Sequence, residues 1–160
     1  MEIVIRLAAA SDARTIAGFN AAMARETENL ELDGERLLQG VQAVLDDPSK
    51  GFYLVAEIDG AVVGQLMLTF EWSDWRNGVF WWIQSVYVQP EARGRGVYKR
   101  LYREAVQRAE RQGDVCGLRL YVERENERAQ RVYRRLGMSP TAYRMYETDF
   151  VLERNPTPGV

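Results

Sequence analysis

The sequence contains no histidine and only one cysteine among its 160 residues. Without histidine, the chain has no Ser-His-Asp triad and none of the usual histidine-containing zinc sites. The single cysteine, Cys116, excludes an internal disulfide framework. It precedes an apolar run, and no histidine is present to activate it, so a buried, unreactive thiol is the natural interpretation. We therefore predict neither a metal site nor thiol chemistry.

Long apolar runs are also absent. No window approaches the roughly 20 apolar residues that a membrane-spanning helix needs, and residues 1–6 lack the charged and apolar regions of a signal peptide. Apolar residues make up 46% of the chain and charged residues 28%, as in ordinary soluble domains. We expect a cytoplasmic protein without membrane contact, folded as one domain over 1–154, with a flexible tail at 155–160.

The charge is distributed unevenly, although the net charge is only −2. Residues 93–135 hold thirteen Lys and Arg against six Asp and Glu, whereas residues 1–92 hold six against fourteen. A basic stretch in an acidic chain predicts a bound anion of limited size. The arginines are not interleaved with a platform of stacking aromatics, so we expect no nucleic-acid partner. A simpler alternative is that most of these arginines are solvated on two helices.

Apolar periodicity and turn signals predict the element order β-α-α-β-β-β-α-β-α-β. The predicted strands are 3–7, 52–58, 61–70 with an outward continuation over 72–76, 79–88, 118–122 and 138–151. The first predicted helix begins after Ser11 or Asp12, and the second begins after Asp33 and ends at Asp47-Pro48. The third covers 94–112 and the fourth covers 126–136. Asp59-Gly60 and Asn77-Gly78 are hairpin signals. We predict an α/β fold (an α+β hybrid), with four helices flanking a mixed sheet of about six to seven strands.

The run 85–98, SVYVQPEARGRGVY, carries the clearest chemical signal. A strand ends, a tight turn follows, and a helix begins at Gly94 and Gly96, where glycine allows unusual φ values. The N–H groups at a helix N-terminus bind phosphate, and Arg93 and Arg95 add mobile cations. Lys99 stands where the third glycine of a dinucleotide fingerprint would be, and no Gly-Lys-Ser/Thr follows. We predict a different phosphate-bearing ligand; the alternative is that the glycines serve only the turn.

The wider context of this run resembles a known superfamily. The Val-x-Pro-x-x-Arg-Gly-x-Gly-Val pattern over 88–97, at a strand–helix junction, is similar to the acetyl-CoA signature of the GNAT N-acetyltransferases. About thirty residues later, Leu120-Tyr121-Val122-Glu123 leads to Asn126 and the run 129–138, which looks like the second motif of that superfamily. The element order agrees along nearly the full chain. The resemblance implies a single-domain GNAT fold and an acetyl-CoA-dependent N-acetyltransferase.

The resemblance also implies roles for individual residues. Backbone N–H groups of 93–98 would hold the pyrophosphate of acetyl-CoA, strand 86–88 would pair with the pantetheine arm, and the Val88 N–H would polarise the thioester carbonyl. The implied cofactor-binding residues are Val86, Tyr87, Val88, Arg93, Gly94, Arg95, Gly96, Val97, Tyr98, Asn126, Ala129 and Tyr133. Tyr98 departs from the glycine or alanine that the superfamily often has there.

Tyr133 is implied as the general acid that protonates the leaving thiolate, with Val88 as the other catalytic residue. Asn126 and Tyr133 are seven residues apart, so two helical turns place them on one helix face. A thiol of pKa about 8.5 and a phenol of pKa about 10 are nearly matched for proton transfer. The alternatives are that Asn126 only caps its helix and that Tyr133 only packs in the core.

The acceptor side has a different set of candidates. The region 69–88 resembles the diamine and polyamine acetyltransferase branch, but Gln84 stands where that branch usually has a glutamate, and glutamine is no base at neutral pH. A carboxylate could supply the base directly or through water, and tryptophans could bind a cation or only pack a hairpin or dimer surface. The candidate substrate residues are Glu26, Glu28, Glu71, Trp72, Asp74 and Gln84.

These observations leave three functions open. The first is acetyl transfer from acetyl-CoA to a primary amine of a small molecule, by direct attack in a ternary complex. The second is acetylation of a protein or peptide, and the third is a non-catalytic CoA-binding sensor. Exposed aromatics in the hairpin, together with Tyr143 and Tyr146, make a homodimer plausible.

Overall fold

The computed structural model describes residues 2–152, which form two compact units. The first unit runs through Tyr121 and the second begins at Val122. The single domain predicted over 1–154 stays a prediction, and the predicted tail at 155–160 lies outside the described residues.

The first unit contains a five-stranded sheet and three α-helices. Its elements are β1 Ile3–Leu7, α1 Ala13–Glu28, α2 Gly34–Asp46, β2 Phe52–Ile58, β3 Ala61–Ser73, β4 Gly78–Val88, α3 Val97–Gln112 and β5 Val115–Arg119. The sheet order is β1-β2-β3-β4-β5, antiparallel throughout except for the parallel pair β4–β5. The parallel strands β4 and β5 are thus joined by a β-α-β crossover through α3.

The apolar periodicity of α3 positions this helix on the sheet. Val97, Leu101, Ala105 and Ala109 form one buried stripe. The stripe packs on the sheet face that carries Leu54, Ala56, Leu66, Leu68, Trp81 and Ile83. The opposite face packs on α1 and α2 through a second apolar cluster of Ala13, Ile16, Val41, Tyr53 and Val55. The sheet is thus covered on both sides, and β4 lies next to the edge strand β5.

The two-residue turn Asp59-Gly60 joins β2 and β3 as predicted. Both residues have positive φ, 51° and 79°, which is the conformation that a tight hairpin turn requires. β3 and β4 form a longer hairpin that closes at Gly78, with Asn77 also at positive φ. The strand predicted at 61–70 therefore extends to Ser73, and only the first two residues of the continuation predicted over 72–76 belong to it.

The prediction that the helix after the glycines begins at 94 is wrong. Gly94 and Gly96 have φ of 77° and 81°, and a right-handed helix cannot contain these values. The helix α3 therefore begins at Val97. The strand predicted at 118–122 lies earlier in the chain, at Val115–Arg119.

The second unit contains α4, Glu127–Arg135, which confirms the last predicted helix within one residue at each end. The strand predicted at 138–151 is absent, and the described residues hold five strands rather than six to seven. Local side-chain hydrogen bonds occupy several amides of this stretch instead. Thr141 Oγ1 accepts from the Tyr143 N–H, and Asp149 Oδ1 accepts from the N–H groups of Val151 and Leu152.

Candidate functional site

The outer edge of β4 is open over its last residues. The ladder between β4 and β5 ends at the pair Trp82–Arg119, although β4 continues to Val88. In the part of the chain that the structure describes, no strand pairs with this edge over 83–88. A stretch of unpaired backbone N–H and C=O groups is a template for adding an extended partner.

The Val88 N–H faces this open edge. The next N–H, that of Gln89, donates to the carbonyl oxygen of Val63 on β3, over 2.9 Å. Successive N–H groups of an extended chain point to opposite edges, so the Val88 N–H points away from β3. The role predicted for Val88, an N–H that polarises the thioester carbonyl, stays a prediction.

A β-bulge precedes this segment. Tyr87 pairs with Gln65 and Gln84 pairs with Met67, so β4 has two residues where β3 has one. Ser85 in the bulge has φ of 50°, a conformation that L-residues rarely adopt. Nothing in the local sequence predicted this bulge, because serine carries no preference for positive φ.

The open edge leads directly to the N-terminus of α3. The turn through Gly94 and Gly96 precedes the helix, and a Cβ added at either glycine would meet no atom within 4 Å. The N-cap residue Gly96 has no side chain to accept hydrogen bonds from the first turn. A 16-residue helix with an uncapped N-terminus provides N–H groups and a partial positive charge for an anion.

Arg93 is held in place rather than mobile, which corrects the expectation of a mobile cation. Its Nε donates to the Val88 carbonyl oxygen over 2.8 Å, and its Nη2 donates to Glu26 Oε2 over 2.7 Å. The Tyr87 hydroxyl donates to the other oxygen of Glu26 over 3.0 Å. Glu26, at the end of α1, therefore joins β4 to the glycine turn.

The electrostatics of this cluster argue against Glu26 as a base. The Arg93 guanidinium, helped by the Tyr87 hydroxyl, holds the pKa of Glu26 below its ordinary value. Burial and the neighbouring Glu26 carboxylate raise the pKa of Tyr87. An ion-paired carboxylate with a lowered pKa is a weak proton acceptor.

Two further acceptor candidates lie on one face of the sheet. Gln84 Nε2 donates to Thr69 Oγ1 over 2.5 Å. Glu71 Oε2 accepts from Trp82 Nε1 over 2.9 Å and from Arg119 Nη1 over 2.8 Å, and these contacts lower the pKa of Glu71. The sheet register places these side chains on the same face, because cross-strand partners share a face.

The remaining acceptor candidates lie elsewhere. Trp72 follows Glu71 on β3, so it projects from the opposite face of the sheet. Asp74 lies in the exposed hairpin turn, where its Oδ1 accepts from the Trp75 N–H, and Glu28 is exposed at the end of α1. The sequence analysis did not identify Arg119 or Thr69 as contacts of these acceptor candidates. Their predicted positions on strands of the same sheet were the signal that could have indicated them.

In the second unit, Asn126 is the N-cap of α4. Its Oδ1 accepts from the Ala129 N–H over 3.0 Å, as the capping alternative expected. Tyr133 lies on α4 and is half-buried, and burial raises the pKa of its phenol above the ordinary value. The phenol therefore stays protonated through the neutral range.

A separate cleft of about 730 Å³ opens at the other end of α3. Aromatic side chains of Phe52, Phe70 and Trp81 line it, and Arg108 and Arg111 lie at its rim. The α3 residues that line it, from Arg108 to Gln112, lie about 16 to 22 Å along the helix from Val97, at a rise of about 1.5 Å per residue. Among the described residues, no three His, Cys, Asp or Glu side chains are grouped to hold a metal ion. No helix of this part of the chain is both long and apolar enough to cross a bilayer.

Comparison with known proteins gives consistent matches. Residues 16–138 match the model of the acetyltransferase (GNAT) family. The crystal structure of a possible acetyltransferase from Clostridium difficile 630 is 45% identical to this chain, with a TM-score of 0.86. The match covers 95% of this chain and 100% of that one.

Two other relatives share less with this chain. Mycothiol acetyltransferase of Corynebacterium aurimucosum is 32% identical over 123 residues, which are 75% of this chain and 40% of that protein. The chain thus spans well under half the length of this curated relative. A predicted acetyltransferase from Clostridium acetobutylicum, whose structure was determined with acetyl-CoA, is 16% identical with a TM-score of 0.76. The match covers 92% of this chain and 96% of that one, and it indicates a shared fold alone.

Proposed function

This chain belongs to the GNAT acetyltransferase family, and we propose that it transfers the acetyl group of acetyl-CoA to a primary amine of a small molecule. The observation that carries this proposal is the continuity between the open edge of β4 and the uncapped N-terminus of α3. Acetyl-CoA has an amide-bearing arm that resembles an extended peptide and a pyrophosphate at its far end. The open edge of β4 suits the amide-bearing arm, and the N-terminus of α3 suits the pyrophosphate.

Two sets of residues would bind the two parts of acetyl-CoA. The backbone of 86–88 would bind the amide-bearing arm, as an added strand binds a sheet edge. N–H groups of 93–98 would bind the pyrophosphate. The Tyr98 side chain packs against the core and beside the Tyr102 ring, and the contact would use its backbone N–H.

The proposed reaction is direct attack in a ternary complex. The neutral amine nitrogen forms a bond to the thioester carbonyl carbon, the carbon–sulfur bond breaks, and the thiolate takes a proton from the general acid. The nitrogen loses one proton as the amide forms, and this proton restores the general acid through solvent. The Val88 N–H would stabilise the developing negative charge on the carbonyl oxygen, an interaction worth about 3–4 kcal/mol in other enzymes. We assign the proton donor to Tyr133 on the basis of family resemblance, and its raised pKa supports a phenol that is protonated at neutral pH.

The acceptor must lose a proton before it attacks. At pH 7 this costs roughly 4.6 kcal/mol for an amine of pKa about 10.4 and about 1.4 kcal/mol for an α-amino group of pKa about 8. Glu26 and Glu71 are engaged in ion pairs and have lowered pKa values. The site therefore favours an amine of low pKa, as in amino-acid-like metabolites, over a polyamine.

An acetyl-transfer assay tests this proposal. Acetyl-CoA would be offered with three acceptors: an amino acid with a free α-amino group, a diamine, and a short peptide with a free N-terminus. We expect release of free CoA thiol with the amino acid at a higher kcat/KM than with the diamine. Faster turnover of the peptide would favour the protein-acetylating alternative. Acetyl-CoA binding with no turnover of any acceptor would favour the CoA-binding sensor.

A further inference from the structure

The bulge at Ser85 determines in which direction the side chains and N–H groups of residues 86–88 point. Tyr87 lies on the same face as Gln84, although they are three residues apart, because the extra residue shifts the alternation of the strand by one. Without the bulge, residues 86–88 would send their side chains to the opposite faces. The N–H groups that now point to the open edge would then point to β3.

Gln65 pairs with Tyr87 beside the bulge and supports the bulge from a fully buried position. Its relative exposure is 0%, and its Nε2 donates to the Ser85 carbonyl oxygen over 3.2 Å and to Asn20 Oδ1 over 2.7 Å. The first of these bonds occupies a carbonyl of the bulge, where the regular ladder is interrupted.

The other amide atom of Gln65 shows that packing alone does not explain this residue. Its Oε1 is buried and has no hydrogen-bond partner within residues 2–152. A buried acceptor without a partner is unfavourable, and an apolar residue of the same size would avoid it. The contacts that compensate are the two bonds from Nε2, and of these the bond to Ser85 reaches the bulge.

Asn20 and Tyr53 connect the same bulge to α1 and β2. The Asn20 side chain is buried, and its Nδ2 lies 3.5 Å from the Tyr53 hydroxyl. Burial raises the pKa of the Tyr53 phenol, while side-chain hydrogen bonds with Asn20 and Ser85 oppose that effect. Two neighbouring elements therefore hold the bulge through buried polar groups.

We propose that Gln65 is a positioning residue that holds the Ser85 bulge and so keeps the Val88 N–H directed to the open edge of β4. The proposal rests on the function proposed above, since it assigns that edge to acetyl-CoA. Gln65 itself touches neither substrate.

The test begins with Gln65→Met, which keeps the size of the side chain and removes its hydrogen bonds. We expect the Kd for acetyl-CoA, measured by calorimetry, to rise about tenfold, the equivalent of one buried hydrogen bond. Glycine adopts positive φ without strain, so adding Ser85→Gly should restore most of the affinity. Ser85→Gly alone also removes the hydroxyl that bonds Tyr53, so it should bind within a few-fold of the wild type.

Val55→Ala is the matched control. Val55 pairs with Gln65 across β2 and β3 and is equally buried, but it makes no contact with Ser85 through a polar group. This variant should lower the melting temperature without raising the Kd. Equal affinities for Gln65→Met and wild type would overturn the proposal, as would equal losses for Gln65→Met and Val55→Ala without rescue by Ser85→Gly.

Hydrogen exchange in the ligand-free protein separates this proposal from the proposed function. Gln65→Met should speed amide exchange in a peptide covering residues 84–89 more than in neighbouring peptides. Val55→Ala should not change the exchange of this peptide relative to that of its neighbours. Faster exchange would support the role of Gln65 even if the wild type failed to bind acetyl-CoA. Unchanged exchange would overturn it.

Discussion

Arg93 donates a hydrogen bond to the carbonyl oxygen of Val88 over 2.8 Å, and its guanidinium also pairs with Glu26. The same residue, Val88, presents its N–H at the open edge of β4. Arg93 thus fixes the residue that the proposed reaction uses as an oxyanion donor. A side chain that the sequence indicated as a mobile phosphate cation is instead part of the frame of the site.

Arg93→Ala should weaken acetyl-CoA binding. Loss of a charge-assisted hydrogen bond to a carbonyl predicts an increase of about tenfold in the KM for acetyl-CoA, with a smaller change in the KM for the amine. Steady-state kinetics with each substrate varied in turn would measure both. Arg103→Ala, which removes an exposed arginine of α3, is the matched control and should leave both constants unchanged.

Glu26→Gln distinguishes a structural carboxylate from a catalytic base. The carboxylate is ion-paired and its pKa is lowered, so we expect kcat/KM to keep its dependence on pH below neutrality. The partly exposed ion pair predicts only a few-fold rise in the KM for acetyl-CoA. Disappearance of the acidic limb of the pH profile in this variant would instead identify Glu26 as the base.

Tyr133→Phe should lower kcat by about 10²-fold or more, while the Kd for acetyl-CoA stays within a few-fold of the wild type. A general acid must be protonated, and burial raises the pKa of Tyr133. The wild-type rate should therefore rise with pH as the amine loses its proton and fall only above the ordinary pKa of tyrosine. That alkaline limb should vanish in the phenylalanine variant. A kcat equal to that of the wild type would remove Tyr133 from the mechanism.

Trp82→Phe and Trp72→Phe compare the two faces of the sheet. Trp82 donates to Glu71 on the face that carries Gln84, whereas Trp72 lies on the other face. We expect Trp82→Phe to raise the KM for the amine roughly three- to tenfold through the lost hydrogen bond. Trp72→Phe should have no such effect, and neither variant should change the Kd for acetyl-CoA. An equal change in the KM for the amine in both variants would show that the acceptor does not bind on the face that carries Trp82.

Asp12→Asn tests the polar network that joins β1 to the start of α1. Arg6 pairs with Asp12 over 2.7 Å and with Glu57 over 2.6 Å, and the Arg6 contact lowers the pKa of Asp12. A depressed carboxyl pKa stabilises the folded state above the unfolded pKa, and this contribution is lost as the pH falls through the folded value. We expect a loss of roughly 2 kcal/mol at pH 7, allowing for the partial exposure of Arg6, that shrinks in strong acid. Urea unfolding at several pH values would measure it.

Much of the fold followed from local patterns. The apolar run of β2, the Asp59-Gly60 turn and the apolar stripe of α3 each act over a few residues, so the sequence alone predicted them. The glycine turn before α3 was predicted in the same way. Only the first helical residue was misplaced, because left-handed glycines belong to the turn rather than to the helix.

The rest depends on contacts between distant residues. Glu26 and Arg93 are 67 positions apart, and no local pattern pairs them. The bulge at Ser85 and the role of Gln65 arise from the register of two strands. The strand predicted after Gly137 failed for a related reason, since an extended segment needs a neighbouring strand for its hydrogen bonds, and periodicity cannot supply one.

The most direct test of the account is calorimetric titration of acetyl-CoA into the wild type, Gly96→Glu, Gly96→Gln and Gly113→Glu. Gly96 and Gly113 stand at opposite ends of α3 with the same φ of 81° and open space around them, so both glutamates place a side chain on a backbone of positive φ. We predict micromolar binding by the wild type and by Gly113→Glu, weaker binding by Gly96→Gln, and no binding by Gly96→Glu, whose carboxylate repels the pyrophosphate. Failure of the wild type to bind, or equal binding by both glutamate variants, would contradict an acetyl-CoA site at the N-terminus of α3.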